Sequence, residues 1–184
     1  MARYVLRLAS MCTALMLPNL GIAEAAPSNR PSYLGVHLGQ SQDEVKYILG
    51  YPPSVVDDSL TDDQYSGYRV YDTSGRDNKN SMPAGKGIGD YRKWSYDTSG
   101  ARIDLAFSKA GGALEAITCF SNGSEMCPPL YGIRDGQSEE SVIRSLGNPD
   151  RSSLNGVSKA LAYTAFGLTV TLTQSRVYMI TLHN

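Results

Sequence analysis

Apolar and polar residues alternate in two stretches of the chain, residues 102–107 (RIDLAF) and residues 168–173 (LTVTLT). A period of two is typical of a β-strand that buries one face. A different spacing, of three and four residues, places Val45, Ile48 and Leu49 on one side of a helix. The pattern therefore predicts both helices and half-buried strands.

The helical pattern occurs twice along the chain. Residues 35–52 (GVHLGQSQDEVKYILGYP) and residues 132–149 (GIRDGQSEESVIRSLGNP) are identical at eight of eighteen positions, at a fixed offset of 97 and without gaps. Self-similarity at a fixed offset indicates a tandem duplication, which sets the frame for the rest of the sequence.

Each copy predicts a short capped helix. In the first copy, Ser41 stands at the N-cap and Glu44 completes an S-x-x-E capping box. In the second copy, Ser138 keeps the cap, but Ser141 replaces the glutamate and weakens the box. A glycine followed two residues later by a proline ends both helices.

The similarity continues after each helix. Residues 94–105 align with residues 161–172 at an offset of 67, and residues 114–118 align with residues 177–181 at an offset of 63. Turn-forming residues separate these segments. We therefore predict an α+β fold of two tandem repeats, each a short capped helix followed by a three-stranded antiparallel meander, with the two sheets packed or joined.

The boundaries follow from this alignment. We expect repeat 1 at residues 33–120, with an insertion at about residues 55–90 that repeat 2 lacks. Residues 121–129 form the predicted connector, and residues 130–184 form repeat 2.

The N-terminus has the pattern of a secretory signal peptide. Two arginines precede an apolar run at residues 8–17, and a small-x-small site ends at Ala25. We predict cleavage near Ala25 or Ala26, a flexible leader at residues 26–32, and a periplasmic or secreted product. A lipoprotein anchor on Cys12 is not favoured, because Met11 stands where a lipoprotein signal needs a small residue.

Two cysteines remain, Cys119 and Cys127, and they bracket the connector. A cysteine pair in an exported chain favours a disulfide. We therefore predict that these two residues are bonded to each other.

Charge and motifs exclude several functions. The net charge of −1 is spread over scattered residues, so we predict no nucleic-acid partner, and no second apolar segment predicts a membrane span. With two histidines and no phosphate-binding loop of Walker spacing, we predict no catalytic residues, no cofactor and no metal site. The acidic residues 57–63 favour a solvated loop over a weak calcium site.

The insertion is the largest difference between the copies. Tyrosine and arginine dominate many protein interfaces. We therefore expect the partner-binding residues to be Tyr65, Tyr68, Tyr71, Arg69 and Arg76. Two alternatives stay open: the insertion has no function, or its tyrosines are core residues of an extra strand.

The motif G-(V/I)-x-x-G-x-S-x-x-x-V-x-x-x-L-G-x-P, followed by W-x-Y and a Leu-Glu-Ala-Ile strand, resembles the SmpA/OmlA (BamE-like) family. The resemblance covers residues 33–53, 91–120 and 130–184, and the doubled form resembles the β-lactamase inhibitor proteins. It implies that the chain binds proteins rather than catalysing a reaction. Two departures are the missing lipobox and the second copy, since the assembly lipoproteins of this family carry one.

These inferences converge on one expectation. We expect an exported, non-catalytic protein-binding module of the bacterial cell envelope, with a link to outer-membrane assembly implied by the resemblance. The alternative is a periplasmic or secreted inhibitor of the β-lactamase-inhibitor type, which would present a concave sheet face rich in exposed aromatic residues and an insertion loop that fills a cleft.

Overall fold

The computed structural model describes residues 32–57, 69–74, 81–97, 100–109, 112–121 and 127–184. The predicted signal peptide, most of the leader, Tyr65, Tyr68 and Arg76 lie outside these ranges. No helix within them combines the length and the apolarity needed to cross a bilayer.

The described elements are two α-helices and eleven strands. The helices are α1 (Gln42–Leu49) and α2 (Glu139–Leu146). The strands, in chain order, are β1 (Ser32–Tyr33), β2 (Val36–His37), β3 (Ser54–Asp57), β4 (Arg69–Asp72), β5 (Lys93–Asp97), β6 (Ala101–Phe107), β7 (Leu114–Ser121), β8 (Arg151–Asn155), β9 (Ser158–Tyr163), β10 (Leu168–Thr173) and β11 (Arg176–His183).

The predicted α+β fold of three-stranded meanders is wrong. The protein is mostly β, and nine strands form one antiparallel sheet in the order β4-β3-β5-β6-β7-β11-β10-β9-β8, while β1 and β2 pair separately. Each helix is followed by four strands of this sheet rather than three, and β4 adds a further strand from the insertion. The pattern missed β8 because all five of its residues are exposed, so the strand has no apolar face.

Strands β7 and β11 join the two halves at the centre of the sheet. Thr118 lies directly opposite Thr181, and their hydroxyl oxygens are 3.1 Å apart. The offset of 63 maps Thr118 onto Thr181, so a local two-fold axis passes through this pair. The strand registers extend the same relation outwards, from β6 to β10, from β5 to β9 and from β3 to β8.

The registers correct one detail of the sequence alignment. Six residues separate the opposed pair Tyr96 and Ile103, but four separate Tyr163 and Leu168. The second hairpin is therefore two residues shorter, and the offset between β6 and β10 is 65 rather than 67.

Both helices pack on the same face of the sheet. Val45 of α1 and Val142 of α2 are fully buried in the core. They meet a row of inward-facing side chains that crosses the sheet: Tyr71, Val55, Trp94, Leu105, Ile117, Leu182, Leu168 and Tyr163.

The predicted caps are confirmed. The Ser41 hydroxyl accepts a hydrogen bond from the Glu44 amide, and the Glu44 carboxylate accepts one from the Ser41 amide at 2.7 Å. In α2, the Ser138 hydroxyl accepts from the Ser141 amide at 3.3 Å. In each half, a helix with a serine N-cap therefore precedes the main strands of the sheet.

A matching tyrosine ties each helix end to the sheet. Tyr96 donates to the carbonyl of Gly50 at 2.9 Å, and Tyr163 donates to the carbonyl of Gly147 at 3.3 Å. Burial raises the pKa of Tyr96 to about 12, so its hydroxyl stays protonated and can donate even at a pH near the ordinary tyrosine pKa of 10. These repeated residues therefore serve the fold.

The predicted disulfide is confirmed. Cys119 and Cys127 are bonded, with Cα atoms 5.9 Å apart, inside the usual range for a disulfide. Residues 122–126, which the bond spans, lie outside the described residues.

Candidate functional site: the open face of the sheet

The face of the sheet opposite the helices is called the open face here, because no helix of the described residues packs on it. Side chains alternate along each strand, so the residues between the core positions point to this face. Its central row runs Ser54, Ser95, Asp104, Thr118, Thr181, Thr169, Ala162 and Arg151.

A depression of about 480 Å³ lies on the open face over the first half of the sheet. Apolar side chains from two outer strands, Val56 and Val70, and the ring of Phe120 line it together with polar residues. The polar lining residues are Lys93, Ser95, Arg102, Asp104 and Thr118. The depression therefore combines apolar surface with both signs of charge.

A hydrogen-bonded network orders Arg102 beside this depression. Its Nε donates to Oδ1 of Asp104 at 2.8 Å, and its Nη2 donates to Oγ of Ser95 at 3.2 Å. Ser95 in turn donates to the same Asp104 oxygen at 2.5 Å, and its side chain is buried. The Arg102 side chain is nevertheless 45% exposed. A pre-ordered and accessible guanidinium is well suited to bind a partner, because little side-chain entropy is lost on contact.

The second half of the sheet lacks this network. The strand registers place Gly167, Thr169 and Ala162 at the positions equivalent to Arg102, Asp104 and Ser95. The fold therefore forms without the charged network in one of its two halves. This difference singles out the first half as the candidate site.

Of the predicted partner-binding residues, Tyr71 does not line this depression. Tyr71 is 5% exposed and packs on Tyr91, with ring centroids 5.5 Å apart, so it serves the core and is not available as an interface anchor. Arg69 begins β4, opposite Asp57. Tyr65, Tyr68 and Arg76 lie outside the described residues.

Sequence reasoning missed Arg102 and Phe120. A usable signal was present, because Arg102 and Asp104 are two residues apart in a predicted strand and therefore share a face. Phe120 gave no such signal, because its exposure depends on which face of the sheet the helices cover.

The inhibitor alternative expected a face rich in exposed aromatic residues. Among the described residues of the open face, the aromatic ones are Phe120 and Tyr178. Threonine and serine are more frequent on its central rows. Nearly half of the insertion that this alternative also requires, residues 58–68 and 75–80, lies outside the described ranges.

A second depression, of about 440 Å³, lies where the insertion meets the start of α1. Lys86, Arg92 and Lys109 line it, with Asp57 and Asp90. The Asp90 carboxylate accepts from the Gly87 amide at 2.8 Å and so caps a short 3₁₀-helix. This carboxylate therefore already has a structural role.

The exposed surface of α1 also differs from that of α2. Tyr47 and Tyr51 are 92% and 76% exposed, and the equivalent residues of the second half are Arg144 and Asn148. Lys46 lies 5.8 Å from the centre of the Tyr51 ring. These aromatic residues add apolar surface that the helix does not need for packing.

Within the described ranges, no three side chains of His, Cys, Asp or Glu lie close enough to hold a metal ion. No protein-family model matches the chain, and neither the curated proteins nor the solved structures give a match.

Proposed function

We propose that the protein is an exported, non-catalytic binding module of the bacterial cell envelope, and that it holds a protein partner on the first half of its open face. The observation that carries this proposal is the ordered Arg102 beside the apolar ring of Phe120, at a depression of about 480 Å³. Binding hot spots are often arginine or aromatic side chains that become desolvated when the partner covers them.

The internal duplication supports a binding role for these residues. Two features with a clear structural role, the N-cap serine and the tyrosine–glycine bond, recur in both halves. The charged network occurs in the first half, whereas the second half has Gly167, Thr169 and Ala162. We attribute the difference to selection for a partner rather than for stability.

The lining residues indicate the chemistry of the partner. A carboxylate of the partner can pair with the exposed side of the Arg102 guanidinium, while an apolar side chain contacts Phe120 and Val70. The Cys119–Cys127 disulfide is typical of proteins in oxidising compartments and supports export. The link to outer-membrane assembly rests on the sequence resemblance.

The test uses purified protein, cross-linked to envelope fractions and compared with two matched variants. Arg102→Ala removes the proposed anchor, and Arg144→Ala removes an exposed arginine on α2. We expect the first variant to weaken binding of the captured partner by about tenfold or more, as expected for a hot spot, and the second to leave it unchanged.

Thermal melts of both variants provide the control for folding. Equal binding by the two variants would refute the open face as the site. Binding that is lost only in proportion to lost stability would also refute it.

A further inference from the structure

Among the described residues, the outer side of β8 is an unpaired edge of the sheet. β8 is the last strand in the sheet order, and no strand of the described residues pairs with its outer side. All five residues, Arg151–Asn155, are exposed. Leu154 is 75% exposed although it is apolar. An exposed edge of this kind is a template for a further strand.

The first half of the molecule shows how this edge is used when a strand is available. β3 is the equivalent of β8, at the sequence offset of 97 that the strand registers also give. β4 pairs with the outer edge of β3 in the antiparallel direction, with Val55 opposite Tyr71. The second half has no such insertion, so its equivalent edge stays open within the described residues.

The backbone groups that face this edge can be identified. The turn at Gly156 and Val157 has two residues, so the closing pair Asn155 and Ser158 exchanges its hydrogen bonds within the hairpin. By alternation, the amides and carbonyls of Ser152 and Leu154 point outwards. The equivalent half agrees, because the carbonyl of Pro53 accepts from Thr73 of the β4 side at 3.1 Å.

We propose that the β8 edge is a self-association site, where a second copy of this chain adds its own β8 in the antiparallel direction and extends the sheet across a two-fold axis at Ser153. This pairing places Ser152 of each copy opposite Leu154 of the other. All outward amides and carbonyls of the two residues are then satisfied. The proposal is independent of the partner on the open face.

The residues of β8 fit an identical strand. The charged residue Arg151 lies at one end, so in this register the two copies of Arg151 are roughly 13 Å apart along the strands and do not repel strongly. The two Leu154 side chains are diagonal neighbours on the helix side, a distance that long side chains can bridge. In a two-fold interface, each favourable interaction between the two copies also occurs twice.

A five-residue strand pair is a small interface, so the association is expected to be weak and concentration-dependent. Sedimentation equilibrium of the purified, disulfide-bonded protein should show a mass that rises from monomer towards dimer between about 10 µM and about 1 mM. Ser152→Pro, which removes an outward amide donor, and Leu154→Lys, which charges the edge, should each raise the dissociation constant by about tenfold or more.

Val157→Lys is the matched control, because Val157 is 83% exposed but lies in the turn outside the paired strand. This substitution should leave the dissociation constant unchanged. Urea denaturation of each variant shows whether the fold is intact, and both strand positions are exposed enough for it to stay so.

Cross-linking tests the register. Ser153→Cys places two thiols directly opposite each other, with Cα atoms about 4.5 Å apart in a non-hydrogen-bonded pair, which suits a disulfide. Asn155→Cys places them more than about 13 Å apart. We expect a covalent dimer from the first variant alone.

Several results would overturn the proposal. They are a monomer at every concentration, a dimer that Ser152→Pro and Leu154→Lys do not weaken, and equal cross-linking at residues 153 and 155. A monomer whose β8 edge instead binds a peptide of another protein would overturn it as well.

Discussion

Two glycines with a similar positive φ should respond very differently to a methyl group. Gly156 and Gly167 have φ of +59° and +57°, and a positive φ costs other residues about 1 kcal/mol or more. A Cβ on Gly156 would meet nothing within 4 Å, whereas a Cβ on Gly167 would lie 2.3 Å from the backbone oxygen of His183. Gly156→Ala is therefore a reference for a glycine of positive φ whose added methyl group meets no neighbour.

The expected magnitudes follow from this geometry. Gly156→Ala should lower the free energy of unfolding by about 1 kcal/mol. Gly167→Ala adds a clash that no side-chain rotation can relieve, so the end of β11 must move away from β10. The amide of His183 then loses its 2.8 Å bond to the Gly167 carbonyl, which adds about 1 kcal/mol, and local repacking adds about 1 to 3 kcal/mol.

Urea denaturation measures the difference, which we expect to exceed about 2 kcal/mol at an unchanged m-value, or about 4–8 °C in melting temperature. Removing residues 183–184 removes the clashing oxygen. In that shortened chain Gly167→Ala should cost no more than Gly156→Ala, so a double-mutant cycle isolates the contact. Equal costs for the two substitutions in the full chain would refute the placement of β11 against Gly167.

Three further predictions concern the disulfide, the surface of α1 and a buried tyrosine. Replacing both Cys119 and Cys127 with alanine should lower the free energy of unfolding by about 2.5 kcal/mol in urea denaturation, because the bond closes a loop with a sequence separation of 8; an unchanged midpoint would contradict this. Tyr47→Arg combined with Tyr51→Asn, which introduces the residues found at the equivalent positions of the second half, should change the free energy of unfolding by less than about 0.5 kcal/mol, since both tyrosine side chains are exposed. A large loss would show that they pack. Burial raises the pKa of Tyr96 to about 12, so its contribution is complete below the ordinary tyrosine pKa and is lost as the pH rises from about 10 towards 12. Tyr96→Phe should therefore flatten the fall of stability between pH 9 and pH 11, and an equal slope in both proteins would count against the assignment.

The features that sequence could predict are those with local causes. The caps at Ser41 and Ser138 depend on residues three apart, and the disulfide depends on compartment and spacing. The alternating stretches within β6 and β10 are confirmed, because one face of each is buried under a helix. Each of these signals lies within about ten residues of sequence.

The features that sequence could not predict depend on distant neighbours. β8 gave no signal because it buries no side chain, and its strand state comes from pairing with β9. The sequence around Tyr71 is typical of an interface residue. Because Tyr71 lies opposite Val55 of β3, however, its ring points into the core and packs on Tyr91. The open face likewise exists only because both helices pack on the other side.

Equivalent positions of the two halves can be compared to separate residues that serve the fold from residues that can serve binding. Equivalent positions that match, such as Tyr96 and Tyr163, bond to equivalent glycines and hold the fold. Among the equivalent positions that differ, Arg102 and Gly167 lie on the open face, and the Arg102 side chain is exposed.

The sheet edges differ in the same way. β3 pairs with β4 as an added strand, while the outer edge of the equivalent β8 is unpaired in the part of the chain that the structure describes. A duplicated fold needs only one copy of each interaction surface, so the second copy is free to change. The first half is therefore expected to bind the partner and the second half to bind another copy of the chain, and substitutions on one surface should leave the other interaction intact.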